Sequence, residues 1–211
     1  MHIPKVFQQQ NQEQLLNVVK QYPFASLIVT SASGLEVNHI PLIYREVSGA
    51  PVLQGHIAKV NPVWQSLSDG SEALAVFSGP NCYVSPSYYP TKRENGRAVP
   101  TWNYVAVHVS GLIRFIHDAQ WNESMLRELT LEHEAGRAEP WSLDDAPRAY
   151  IDKLLPAIVG VELSSLSFSG KWKLSQNQPP RNQLGVVSGL EQEPSDAAQK
   201  IAQLVRNIAN Y

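Results

Sequence analysis

The chain has 211 residues, with 17 Lys and Arg against 19 Asp and Glu, and the resulting charge of -2 excludes the global basic field that draws proteins to nucleic acid. A hydrophobic content of 43% is enough for a real core, while the single cysteine, Cys82, excludes a disulfide framework within the chain and fits a reducing compartment. No apolar run approaches the roughly 20 residues of a membrane helix, and the stretch from Met1 to Gln14 turns polar too early for a signal-peptide core, so a soluble cytoplasmic protein is expected.

Gln12 to Gln21 carries Leu15, Leu16, Val18 and Val19 on a polar background, the pattern of a short amphipathic helix that ends before Pro23. Phe24 to Ser31 reads as a strand, Ser33-Gly34 as its turn, and Glu36 to Tyr44 as a second strand that Pro41 interrupts at an edge or bulge. Val52 to Ile57 is a third. Asn61-Pro62 opens a short helix, Asn as cap and Pro in the first turn, and Asp69-Gly70 closes it. Glu72 to Phe77 is a fourth strand, with Tyr83 and Val84 continuing it beyond a turn at Gly79-Pro80-Asn81. Tyr104 to Phe115 forms a long strand after the proline-containing loop Pro86 to Pro100.

Asp118 or Asn122 can cap a helix carrying Met125, Leu126, Leu129 and His133, with Gly136 as its stop, and a second helix runs from about Pro147 to Leu155. In the strand that follows, Val159, Val161 and Leu163 share one parity and Leu166 and Phe168 the other, so a bulge is expected near Ser164-Ser165. The polar, proline-containing tail from Gly170 to Gln183 leads to a C-terminal helix, around 195–210, that Ser195 can cap; Ile201, Leu204, Val205 and Ile208 form its stripe. About six short antiparallel-type strands with hairpin-sized connections argue for a mainly β fold: one domain over 1–211, a closed or split β-barrel with peripheral helices and a helical insertion around 119–155. A barrel of this size has little interior room, so a large flat ligand would lie on its outer wall, covered by another surface such as a second subunit.

Polar functional groups concentrate in three segments at strand ends: Gly55 to Pro62, Pro100 to Tyr104, and Gly170 to Asn177. Together they offer what a phosphorylated planar cofactor needs, namely cations and N–H donors for phosphate, rings for a flat face and amides for its edge. His56 and Lys59, at the entry to the Asn61-Pro62 helix, suit phosphate, although a lone His or Lys at a strand end is more often structural. Trp102 and Tyr104 equally suit the plug at a barrel end. Lys171-Trp172-Lys173, followed by Ser175, Gln176 and Asn177, can approach a flavin, contact nucleic acid or line a subunit interface. There is no G-x-G-x-x-G, no Walker A loop and no nucleophile elbow, and His133-Glu134 lacks the second histidine of a zinc motif, so no metal is expected. No catalytic acid or base presents itself; His108 is expected to face a polar wall.

Met1-His2-Ile3-Pro4-Lys5, Asn38 to Leu42, Gly55 to Pro62, Val99 to Tyr104 and Gly170 to Asn177, in that order, resemble the PaiB-type FMN-binding negative transcriptional regulators over nearly the whole chain. His2 stands where that family usually has tyrosine and Lys59 where arginine is commoner, which keeps the charge and loses the bidentate fork. The resemblance implies an FMN-binding antiparallel split barrel, similar to pyridoxamine phosphate oxidases and flavin reductases, forming a homodimer with FMN at the interface. It implies His56, Ala58, Lys59 and Asn61 near the phosphate, Thr101, Trp102 and Asn103 near the flavin ring, and Lys171, Lys173, Ser175, Gln176 and Asn177 closing the pocket from the partner chain. It also implies a negative regulator or flavin-linked sensor, with DNA as a partner that the net charge does not support; the alternative is an FMN-dependent oxidoreductase using a reduced nicotinamide and a small acceptor.

Overall fold

A computed structural model describes residues 1–209. Its strands are β1 (Gln8–Gln9), β2 (Phe24–Ser31), β3 (Gly34–Pro41), β4 (Ile43–Val47), β5 (Ala50–Ala58), β6 (Ser71–Val84), β7 (Thr101–Ile116) and β8 (Ile158–Lys173). They hydrogen-bond in the order β3-β2-β6-β7-β8-β5-β4, with β1 on β8. The β2–β3, β2–β6, β4–β5, β5–β8 and β1–β8 pairings are all antiparallel. The helices are α1 (Gln12–Gln21), α2 (Val63–Ser66), α3 (Lys92–Asn95), α4 (Ala119–Glu134), α5 (Arg148–Leu154), α6 (Pro180–Leu190) and α7 (Asp196–Ala209). Asn210, the expected end of the last helix, lies outside the described residues.

Two compact units interleave in sequence: one comprises Met1–Val18, Ser78–Val107 and the chain from Ser169, the other Val19–Phe77 and His108–Phe168. In the second unit the alternation of β2 buries Ala25, Leu27 and Val29, and that of β8 buries Val159, Val161 and Leu163, against Leu42, Leu53 and Phe77. Asp118 caps α4 by accepting from the Trp121 N–H at 2.7 Å, and the helix packs Met125 and Leu129 on Ile43. The face switch in β8 is present: Ser165 takes a left-handed φ of 53°. In the first unit Leu15, Val105, Val107 and Leu174 join Val186, Leu190, Ile201 and Val205 from α6 and α7 in the core.

The structure departs from the expected elements in four places. Glu36 to Tyr44, expected as one strand, divides between β3 and β4, at opposite ends of the strand order. Gly79-Pro80-Asn81 is no turn, since β6 runs unbroken through it. Gly170 to Lys173 belongs to β8, and the polar tail expected to Gln183 gives way at Pro180 to a helix, Pro180–Leu190. The Asn61-Pro62 helix is a single turn of four residues, so the helix-end field expected there is small.

Candidate functional site

The start of β7 and the end of β8 lie in the same unit, and their polar side chains meet there. Strand alternation exposes Trp102, 53% accessible, and sends Asn103 fully inward. The Asn103 Nδ2 donates to Ser175 Oγ at 2.9 Å, while its Oδ1 is buried without any partner. An unpaired buried carbonyl costs free energy, and few buried polar groups go without a partner. Ser175 holds its position through a left-handed turn, φ 64°, that reverses the backbone after β8.

Lys173, the last residue of β8, folds back along β7. Its Nζ donates to the Trp102 carbonyl at 2.9 Å and to Thr101 Oγ1. Burial pushes its pKa down from the ordinary lysine value; nearby Tyr104 opposes that shift and Lys171 reinforces it. Lys171 donates to the His2 carbonyl at 3.0 Å and lies 5.3 Å from the centre of the Tyr104 ring, a cation–π distance. Gln176 spends its amide on its own turn, donating to the Trp172 carbonyl at 2.6 Å and accepting from the Leu174 N–H at 2.7 Å. Asn177 is exposed.

Next to this cluster is an open cavity of about 270 Å³ lined by Ser78, Gly79, Asn81, Trp102 and Tyr104, with Val105 and Ala106 behind them. Gly79 sits at a close approach of the strands: a Cβ there would stand 3.1 Å from that of Val105, tighter than ordinary contact. Tyr83 meets the Trp102 ring edge-on, centroids 6.4 Å apart, and steadies it. Sequence reading placed Gly79 to Asn81 in a turn and so missed Ser78, Gly79 and Asn81 as lining residues. The density of rings and amides from Gly79 onward was the available signal.

The segment containing His56, Ala58, Lys59 and Asn61 belongs to the other unit. His56 Nδ1 is buried without a partner, and burial pushes its pKa below 6.5, so at neutral pH the ring offers a neutral imidazole, not a cation. Asn61 accepts from the Val63 N–H at 3.1 Å and donates to Asn38 Oδ1 at 2.6 Å, which fixes the α2 turn. Lys59 holds the same turn through its backbone, donating to the Ala157 carbonyl at 2.8 Å and accepting from Trp64 Nε1 at 2.9 Å; its residue is exposed, as is Ala58. No helix among the described residues is long and apolar enough to cross a membrane.

Residues 1–165 match the family described as "Putative FMN-binding domain". The chain is 30% identical to "Protease synthase and sporulation protein PAI 2" of Bacillus subtilis over 98% of its own length and 97% of that protein. It is 32% identical to an uncharacterized protein of Emericella nidulans, over 91% of each. Among solved structures, the FAD and heme binding protein from Mycobacterium smegmatis superposes with a TM-score of 0.57 at 18% identity, over 79% of this chain and 73% of that one. The flavocytochrome from Azotobacter vinelandii gives 0.56 at 15% identity, over 81% and 72%. These likenesses show the fold, an antiparallel split β-barrel with peripheral helices.

Proposed function

We propose, since this chain belongs to the FMN-binding family that its residues 1–165 match, that it binds flavin mononucleotide and serves as a flavin-linked negative regulator or sensor. The observation that carries the cofactor reading is the β7–β8 cluster. A cation, Lys173, and an unpartnered amide oxygen on Asn103 stand in one unit with the exposed Trp102 ring and a cavity. These residues fit a flavin: the ring supplies a flat apolar contact, the Asn103 oxygen an acceptor for a ring N–H, and Lys173 positive charge that favours an electron-rich ring system. A bound flavin supplies reversible electron transfer; the residues here bind it, orient it and set its electrostatic surroundings. Thr101, Lys171, Ser175, Gln176 and Asn177 are assigned to the same pocket, Gln176 and Ser175 by shaping the turn. His56, Ala58, Lys59 and Asn61 are assigned to phosphate binding, with His56 as a neutral N–H donor.

The 270 Å³ cavity is small beside the usual range for cofactor sites, about 300–1,000 Å³. One chain therefore covers only part of a flavin, and a homodimer with FMN at the interface completes the site. The regulator reading rests on the likeness to the Bacillus subtilis sporulation protein.

The deciding experiment is the absorbance spectrum of the purified protein, followed by titration of apo-protein with FMN, FAD and haem in turn. Saturable FMN binding by a dimer supports the cofactor reading, and its absence overturns it. Multiple turnovers of NADPH oxidation would replace the regulator by an oxidoreductase; salt-sensitive retention of DNA without turnover would support the regulator.

A further inference from the structure

Within the unit formed by Val19–Phe77 and His108–Phe168, a pocket of about 320 Å³ lies beside the contact of α4 with the sheet. Glu162, 4% exposed on β8, reaches it as a buried carboxylate. It accepts from Gln54 Nε2 at 2.7 Å on one oxygen, and on the other from the Nε and one Nη of Arg114 at 2.8 Å each. A second pair, Arg45 from β4 and Glu128 from α4, borders the same space. The apolar side is made by Trp121 and Met125, part of the cluster on Ile43 that anchors α4.

The pocket opens to solvent: the Arg45, Glu128 and Arg114 side chains are 35%, 38% and 52% accessible, and Glu162 alone of the four charges is buried. Two arginines and two glutamates sum to zero, so the cavity as a whole favours neither an anion nor a cation. Each guanidinium has five N–H donors and spends only part of them on its glutamate. Glu128, with 38% of its side chain accessible, keeps acceptor capacity. The complement is a molecule with a carboxylate and an ammonium close together and an apolar group beside them.

We propose that this cavity is a second ligand site, distinct in every residue from the flavin cluster, that takes a small zwitterion of the apolar α-amino-acid class. Its carboxylate pairs with Arg114 and Arg45, its ammonium with Glu128, and its side chain lies on Trp121 and Met125. The volume sits at the lower end of ligand sites, about 300 Å³, which suits a single amino acid and not a peptide.

The test is isothermal titration of the full-length protein with L-leucine and L-phenylalanine, then with N-acetyl-L-leucine and L-leucinamide, each of which lacks one of the two charges. One saturable site per chain is expected for at least one free amino acid, with binding about tenfold or more weaker for both blocked forms, the usual effect of losing a hydrogen bond to a charged group. Arg114→Gln and Glu128→Gln should each weaken binding about tenfold while FMN titration is unchanged. No saturable binding of either amino acid up to about 10 mM would overturn the proposal. So would equal binding of the blocked forms, or wild-type affinity in both variants. Should a variant lose its fold by circular dichroism, the blocked series on the unaltered chain decides alone.

Discussion

Lys173 Nζ donates to the carbonyl oxygen of Trp102 at 2.9 Å, joining the end of β8 to the start of β7 across 71 residues of sequence. The bond fixes where the ammonium sits relative to the backbone that carries the Trp102 ring, so a charge and an exposed flat surface come as one rigid unit. Such pre-organisation matters for a ligand that needs both, because neither group has to be ordered at the moment of binding.

Lys173→Ala should therefore weaken FMN binding by about tenfold or more, the usual effect of losing a charge-assisted contact. Lys173→Arg, which keeps the charge, should retain most of the affinity. Fluorescence titration of apo-protein with FMN measures both, and an alanine variant with wild-type affinity would remove Lys173 from the site.

Trp102→Ala removes 53%-exposed aromatic surface and leaves the core alone, so FMN affinity should fall roughly tenfold, as for loss of one aromatic stacking contact, with folding stability little changed. The same titration, run beside urea unfolding, separates the two. A large loss of stability without loss of FMN affinity would show the ring to be a structural plug instead.

His56 makes folding sensitive to acid in a defined direction. Burial holds its pKa below the ordinary 6.5, so between 6.5 and the lowered value the unfolded chain binds more protons than the folded one, and stability falls as pH falls. Above 6.5 both states are neutral and the contribution is flat. His108, also pushed down by burial, titrates in the same direction. In apo-protein taken from about pH 7.5 to about pH 5, His56→Gln should lose stability less steeply than wild type while retaining part of the slope. An unchanged slope in urea midpoints would show that His56 is not the group responsible.

Where one face of an element is buried and the other wet, the sequence carries the architecture openly. The stripe of α7, whose Ile201 and Val205 are buried while Ile208 is exposed, the Asp118 cap and the parity change in β8 each involve residues within a turn or two of one another. The helix α6 was hidden because its first turn, from Pro180, lies in a polar, proline-containing stretch and its later turns carry Gly185 and Gly189. In the structure they are needed for close approach, since a Cβ on either would collide with Tyr88, a contact between distant segments. Gly79 misled for the same reason, its small size serving Val105 on the neighbouring strand. Of the candidate site, the residue types were legible; the meeting of the Trp102 and Lys173 segments within one chain was not, since the resemblance assigned the Lys173 segment to a partner. The unpartnered Asn103 oxygen was not, because orphaning depends on every neighbour at once.

The approach of β7 to the β8 kink gives the last prediction. A Cβ on Gly111 would stand 2.6 Å from the Ser164 carbonyl oxygen and 3.0 Å from a Leu166 methyl, and the nearer obstacle is backbone, which cannot rotate aside. The left-handed Ser165 next to it leaves that segment little freedom to shift. Gly111→Ala should thus destabilise the fold by about 1–3 kcal/mol, the range for overpacking a close-packed contact. Gly136→Ala, where a Cβ meets nothing within 4 Å, should stay within about 0.5 kcal/mol of wild type. Urea unfolding of the pair distinguishes steric crowding from the general effect of exchanging glycine for alanine; equal midpoints would mean that β7 and the kink are not in contact in solution.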